Sequence, residues 1–164
     1  ADSIRLSDLC RIDGFGAGTD AHDQTAPHPQ GEGLRCACVA ALAAAGLEPK
    51  QLGRYHAHGT ATVQNDQMEA AMCTALFGAR GVPITSAKGC LGHTLGAAGA
   101  LDLLAALAAL DARELWPITG LAQLDPAFSL DAVTSVRPHD AATALIATAG
   151  FGGINTALVL RRAG

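Results

Sequence analysis

Basic residues are scarce and dispersed. The eleven lysines and arginines stand singly apart from Arg161-Arg162, and the net charge is −4. With no basic stripe to meet phosphates, neither nucleic acid nor an anionic membrane is expected as a partner. Paired cysteine spacing is lacking too. Cys10, Cys36, Cys38, Cys73 and Cys90 are odd in number, form no CxxC pair and are too sparse for a small disulfide scaffold. That pattern points to the reducing cytoplasm. Cys36 and Cys38, two apart on a helix, would face different sides. The longest apolar run, residues 95–110, is too short to span a bilayer and carries Asp102, so it reads as a buried helix. No signal-peptide pattern and no internal repeat stand out. A start at Ala1 rather than Met leads us to expect a trimmed chain or a fragment.

What is present is apolar and small. Hydrophobic residues make up 49% of the 164, mostly Ala and Leu, and the mean hydropathy is +0.25. This is enough for one domain with a real core. Residues 9–18 alternate and end in glycines, which predicts a first strand. Residues 20–31, with His22 and His28, lack periodicity and read as a solvated surface loop. Helical spacing over 32–45 stops at Gly46 and Pro49. A second strand follows at 52–57, then a helix over 67–77 capped by Asn65 or Asp66 and ended by Gly78. Residues 82–86 form a third strand, and 95–110 the most apolar helix, whose first turn of Gly96, Ala97, Ala98 and Gly99 is nearly bare. Its leucines spread around the axis, so it needs cover on most sides. Residues 116–135 read as a long surface connection. Strands at 144–149 and 156–160 close the chain through a tight Gly-Phe-Gly-Gly turn. Strand-helix repeated three times, then two strands, predicts an α/β fold with a mixed five-stranded sheet and helices packed on it.

Two polar islands, His58-Gly59-Thr60-Ala61-Thr62 and Lys88-Gly89-Cys90-Leu91-Gly92-His93, each stand where a short apolar segment gives way to a helix-like one. An imidazole at such a junction, with glycine beside it, is a donor or base on a rigid scaffold. Two junctions imply one shared site. His56-x-His58 on a strand would also put two imidazoles on one face. That leaves a metal-dependent hydrolase as a remote alternative, with His93 or Asp66 as further ligands, although the glycine-rich final turn would then have no job. A purely structural or interaction module is a third reading.

These islands, together with Asn65-Asp66, Glu69, Gly92-His93-Thr94-Leu95-Gly96-Ala97-Ala98-Gly99 and Gly150-Phe151-Gly152-Gly153-Ile154-Asn155, resemble the C-terminal half of the beta-ketoacyl-acyl-carrier-protein synthases over residues 14–162. The resemblance implies one half of a thiolase-like fold, in which two halves stack about a central helix layer. It makes residues 1–164 the C-terminal domain and leaves the nucleophilic cysteine in an N-terminal half outside this chain. The chain alone would then be inactive. The implied reaction is decarboxylative Claisen condensation of malonyl-carrier protein with an acyl thioester, in fatty acid or polyketide biosynthesis in the cytoplasm.

By the same resemblance, His58 and His93 donate to the enolate oxygen, and Thr60 and Thr62 bond the phosphopantetheine arm. Lys88 and Glu69 form an orienting ion pair. Phe151 gates the acyl pocket and lends a backbone N–H to the oxyanion hole, and Asn155 ties down that turn. No cofactor is expected beyond the arm carried by acyl carrier protein, and no metal. The expected partners are acyl carrier protein, the N-terminal half or a partner synthase subunit, and a second copy in a dimeric complete enzyme. A non-catalytic chain-length-factor-like partner is the main alternative, but such partners often lose the histidines that this chain keeps. Ala61 replaces a small residue, commonly Gly or Ser, and Cys90 reads as a packing residue. His56 and Ala149 depart from the common pattern and leave the pocket lining, hence chain length, open.

Overall fold

The computed structural model describes residues 10–163. Its strands are β1 (Cys10–Thr19), β2 (Arg54–His56), β3 (Pro83–Thr85), β4 (Glu114–Leu115), β5 (Asp131–Ala132), β6 (Arg137–Pro138), β7 (Thr143–Gly150) and β8 (Ile154–Arg162). Its α-helices are α1 (Glu32–Ala44), α2 (Val63–Phe77), a single turn α3 (Lys88–Leu91) and α4 (Ala98–Asp111). Strands pair in the order β1-β8-β7-β2-β3-β5, with β4 and β6 forming a separate ribbon. β7, β2, β3 and β5 run parallel, whereas β8 is antiparallel to both β7 and β1.

The α/β class and the mixed sheet hold, but the sheet has six strands rather than five. The sixth, β5, lies inside the stretch read as a surface connection. It has two residues and so no alternation to announce it. Its place at the sheet edge is fixed by pairing with β3 and by Val133 N–H donating to Ile84 O at 3.0 Å. Leu9, where the first strand was expected to begin, lies outside the described residues.

At β7 both faces of the sheet are covered, which is why Thr143 to Ala147 are buried without a break. Leu145 and Ala147 point to the side of α1 and α2, against Leu34, Leu42, Met68 and Met72. Ala144 and Ile146 point to the other side, against Ala106, Leu107 and Leu110 of α4. In α1 the buried set Leu34, Ala37, Cys38, Ala41 and Leu42 follows the helical repeat. That helix ends with Gly46 left-handed, Leu47 N–H bonding Leu42 O and Gly46 N–H bonding Ala43 O, a Schellman stop. As expected, Cys38 is buried and Cys36 exposed.

β1 is seated on α1 with almost no gap. Gly14, Gly16 and Gly18 face the helix, and a Cβ at any of them would collide with the carbonyl oxygen of Ala41, Ala37 or Gly33 respectively. Helix boundaries nearer the site differ from expectation. α2 begins at Val63, because Thr62, not Asn65 or Asp66, is the cap and accepts from Asn65 N at 3.4 Å. The apolar run opens with a 3-10 turn, Leu95–Ala97, before α4 proper. α4 buries Leu107 and Leu110 and half-buries Leu101 and Leu103, while Leu104 stays 51% exposed.

Candidate functional site

β2 and β3 end side by side, and the chain leaving each carries one island. After β2, His58 and Gly59 turn sharply. Gly59 is left-handed, and a Cβ there would strike Ser86 Oγ at 2.5 Å. The turn is held from behind by Glu69 on α2. Its carboxylate accepts from Tyr55 OH (2.8 Å), His58 N–H (2.9 Å), Gly59 N–H (2.7 Å) and Asn65 Nδ2 (2.8 Å). Four donors fill the carboxylate's capacity, so Glu69 has nothing left for a cation.

The expected Lys88–Glu69 ion pair is therefore not formed. Lys88, buried in α3, places Nζ 2.6 Å from Oδ2 of Asp102 on α4. Asp102 is 2% exposed. Burial pushes its carboxyl up, but the His56 ring 3.4 Å away, together with the hydrogen bond and charge of Lys88, more than offsets this, so it stays below the ordinary carboxylate range. A sequence signal for this residue existed. An acid in the middle of the most apolar run, the only one within residues 95–110, needs a partner, and a buried lysine supplies one.

His58 and His93 meet edge to face, with ring centroids 5.5 Å apart and planes at 90°. His58 is 5% exposed, and its Nδ1 has no partner among the described residues. Burial, then the charge of Lys88, then His93, pull its pKa from the ordinary 6.5 down to about 4, with Asp102 opposing. The ring is thus neutral near pH 7. His93 is exposed. Both line a cavity of ≈ 590 Å³ shared with Thr60, Thr62, Phe151 and Gly96. Thr60 and Thr62 stand with their hydroxyl oxygens 3.4 Å apart, bracketing Ala61, whose φ of 60° is left-handed. A side chain in that region carries a cost of about 1–2 kcal/mol, so Ala61 is accommodated with strain.

The far wall is the β7–β8 turn, residues Phe151–Gly153, with Gly152 and Gly153 at positive φ and Phe151 77% exposed. Asn155, 1% exposed, donates to Gly153 O at 3.1 Å and to Asp20 Oδ1 at 2.9 Å. Gly152 N–H donates to Gln24 O at 2.8 Å, so the turn is tied to the 20–31 loop. Asp20 was not foreseen, because an aspartate in an aperiodic loop carries no pattern.

Of the residues singled out in the sequence, His58, His93, Thr60, Thr62 and Phe151 share one cavity. Lys88 lies behind it, and Asn155 braces its wall. Glu69 faces a different cavity of ≈ 530 Å³ on the other side of the turn. Cys90 is exposed rather than packed. The His56–His58 metal pairing is not built. His56 is engaged by Thr85 Oγ1 at Nδ1 (3.3 Å) and lies 3.4 Å from Asp102 Oδ1 at Nε2. Among the described residues no group of three His, Cys, Asp or Glu is placed to hold a metal. No helix among them is long and apolar enough to cross a membrane.

The family model for the beta-ketoacyl synthase C-terminal domain matches residues 9–122. A 3-oxoacyl-[acyl-carrier-protein] synthase 2 from Coxiella burnetii is 36% identical over 154 residues, covering 92% of this chain and 37% of that protein. A ketosynthase in complex with its chain length factor from Xenorhabdus doucetiae superposes with a TM-score of 0.88 at 34% identity, over 94% of this chain and 39% of the other. A type II PKS acyl-carrier protein in complex with its ketosynthase gives a TM-score of 0.87 at 28% identity, over 94% and 38%. The chain thus spans well under half the length of the curated relatives it matches. The thiolase-like fold implied by the motifs holds.

Proposed function

Because the chain belongs to the beta-ketoacyl synthase family, whose C-terminal domain it matches, we propose that it supplies the enolate-stabilising half of a decarboxylating condensation site. In the complete synthase, the bond between the malonyl α-carbon and its carboxylate breaks. Carbon dioxide leaves, and the electron pair passes into an enolate whose negative oxygen is the thioester oxygen. Ring N–H groups of His58, which is neutral near pH 7, and of His93 donate to that oxygen. The enolate carbon then attacks an acyl thioester on a cysteine of the N-terminal half, and the tetrahedral oxyanion collapses with loss of thiolate.

One observation carries this reading: two perpendicular imidazoles on one cavity wall, with His58 held neutral at pH 7 by burial and by Lys88. A neutral donor placed before charge develops is what an enolate requires. Thr60 and Thr62, each able to donate and accept, face the same cavity and fit the amides and hydroxyl of a phosphopantetheine arm. Acyl carrier protein and the N-terminal half are the partners this reading demands. The chain alone, without a nucleophile, is silent in condensation.

The test is made in the complete synthase. Each of His58→Ala and His93→Ala should lower release of carbon dioxide from malonyl-carrier protein by about 10²–10³-fold. Transfer of the acyl group to the cysteine should continue in both. Decarboxylation within a small factor of the parent in either variant would refute the assignment.

A further inference from the structure

We propose that His56, resting on the reading of the site given above, is a positioning residue that clamps Asp102 so that the Lys88 ammonium stays aimed at the His58 wall. Asp102 divides its two oxygens, Oδ2 taking Lys88 Nζ at 2.6 Å and Oδ1 facing His56 Nε2 at 3.4 Å. A carboxylate gripped at one oxygen alone can swing about its last torsion, and a group at the other oxygen stops that rotation. His56 is the last residue of β2, opposite Thr85 of β3 in parallel register. The sheet itself therefore sets where the ring stands.

The chemistry fixes the tautomer. An ionised carboxylate only accepts, so Nε2 must carry the proton that faces Asp102, and Nδ1 then accepts from the Thr85 hydroxyl at 3.3 Å. His56 is 4% exposed, and its Nε2 makes no hydrogen bond among the described residues, so the 3.4 Å approach to Asp102 Oδ1 is a polar contact rather than a formed bond. Asp102 Oδ1 is the carboxylate oxygen that stands against it, and long contacts around an active site commonly tighten when substrate binds. Thr85, His56, Asp102 and Lys88 form one buried series ending in the ammonium whose charge acts on His58.

Glutamine and asparagine separate the ring's two nitrogens, since a glutamine amide reaches where Nε2 stands and an asparagine amide only where Nδ1 stands. In the complete synthase, His56→Asn and His56→Leu should lower kcat for malonyl decarboxylation by about tenfold to a hundredfold with little change in KM, and His56→Gln should recover most of it. In an Asp102→Asn background, His56→Leu should cost nothing further. Crystal structures of the same variants give a readout free of activity. The Asp102 carboxylate should be rotated away from Lys88 in the Leu and Asn variants and in place in the Gln variant.

Should the parent synthase fail to decarboxylate malonyl-carrier protein, the proposed reaction falls, and the crystallographic comparison still decides the role of His56. If His56→Leu does not fold, Gln against Asn carries the same contrast. Unmoved Asp102–Lys88 geometry in the Asn variant, unchanged kcat in it, or additive losses with Asp102→Asn would each overturn the proposal.

Discussion

Suppression of the charge on a buried imidazole is measurable, and His58 is the place to measure it. Its pKa falls from 6.5 to about 4, with burial the larger cause and Lys88 the next. A depression of that size separates the charged and neutral rings by about 3 kcal/mol. The sign follows from proton counts. Above pH 6.5 the ring is neutral folded or unfolded, and nothing is lost. Between 6.5 and about 4 the unfolded chain binds a proton that the folded one refuses, so stability declines as pH falls through that window. Below about 4 the loss is complete. Long-range ¹H–¹⁵N spectra of the imidazoles in the complete synthase should show His58 neutral at pH 5.5, where an ordinary histidine is mostly charged. Replacing Lys88 by Met together with Asp102 by Leu should raise the pKa only part of the way, because burial remains and the lysine's effect exceeds the aspartate's. A His58 that titrates near 6.5 in the parent would refute both the electrostatics and the neutral-donor mechanism.

Lys88→Met alone leaves the Asp102 charge buried without its cation and should destabilise the fold by about 3–5 kcal/mol, read by denaturant unfolding. Adding Asp102→Leu should return most of that stability without restoring catalysis, and a stable single variant would show the pair to be solvated. Phe151 is exposed, so Phe151→Ala should change stability by less than about 0.5 kcal/mol while altering acyl-loading kinetics. A large fall in melting temperature with unaltered loading would make Phe151 a core residue instead. The isolated chain should self-associate. Ile12, Phe15, Leu95, Leu104 and Ile154 all stand more than half exposed, and each forgoes part of the roughly 1.5–3 kcal/mol that full burial brings. Sedimentation velocity should find oligomers that bind an apolar dye, and a dye-negative monomer would show that no second half is needed to cover them.

Periodicity and motif spacing made most of the architecture legible, because α1, α2, α4 and the β7–β8 hairpin each carry a full repeat of buried positions or a glycine turn. β5 escaped because two residues hold no period, and its pairing depends on Val133 bonding across to Ile84, a contact that local sequence does not encode. The cavity members His58, His93, Thr60, Thr62 and Phe151 were legible as motifs at the ends of elements. The partner of Lys88 was not. Glu69 looked equally suitable in sequence, and only the fold reveals that backbone amides at His58 and Gly59 have already taken its oxygens.

The contact between β1 and α1 also limits how this domain can change by insertion or loss of residues. Gly14, Gly16 and Gly18 recur every second residue, about 6.7 Å along a strand. The carbonyls they meet, on Ala41, Ala37 and Gly33, recur every fourth, about 6 Å along a helix. The two rulers match closely enough for three successive marks to coincide. Deleting one residue of β1 between Gly14 and Gly18 turns the glycines on one side of the deletion outward and drives side chains into the helix backbone. Length variation must therefore collect in the 20–31 loop that joins the two, which is the same loop that holds the Phe151 turn in place.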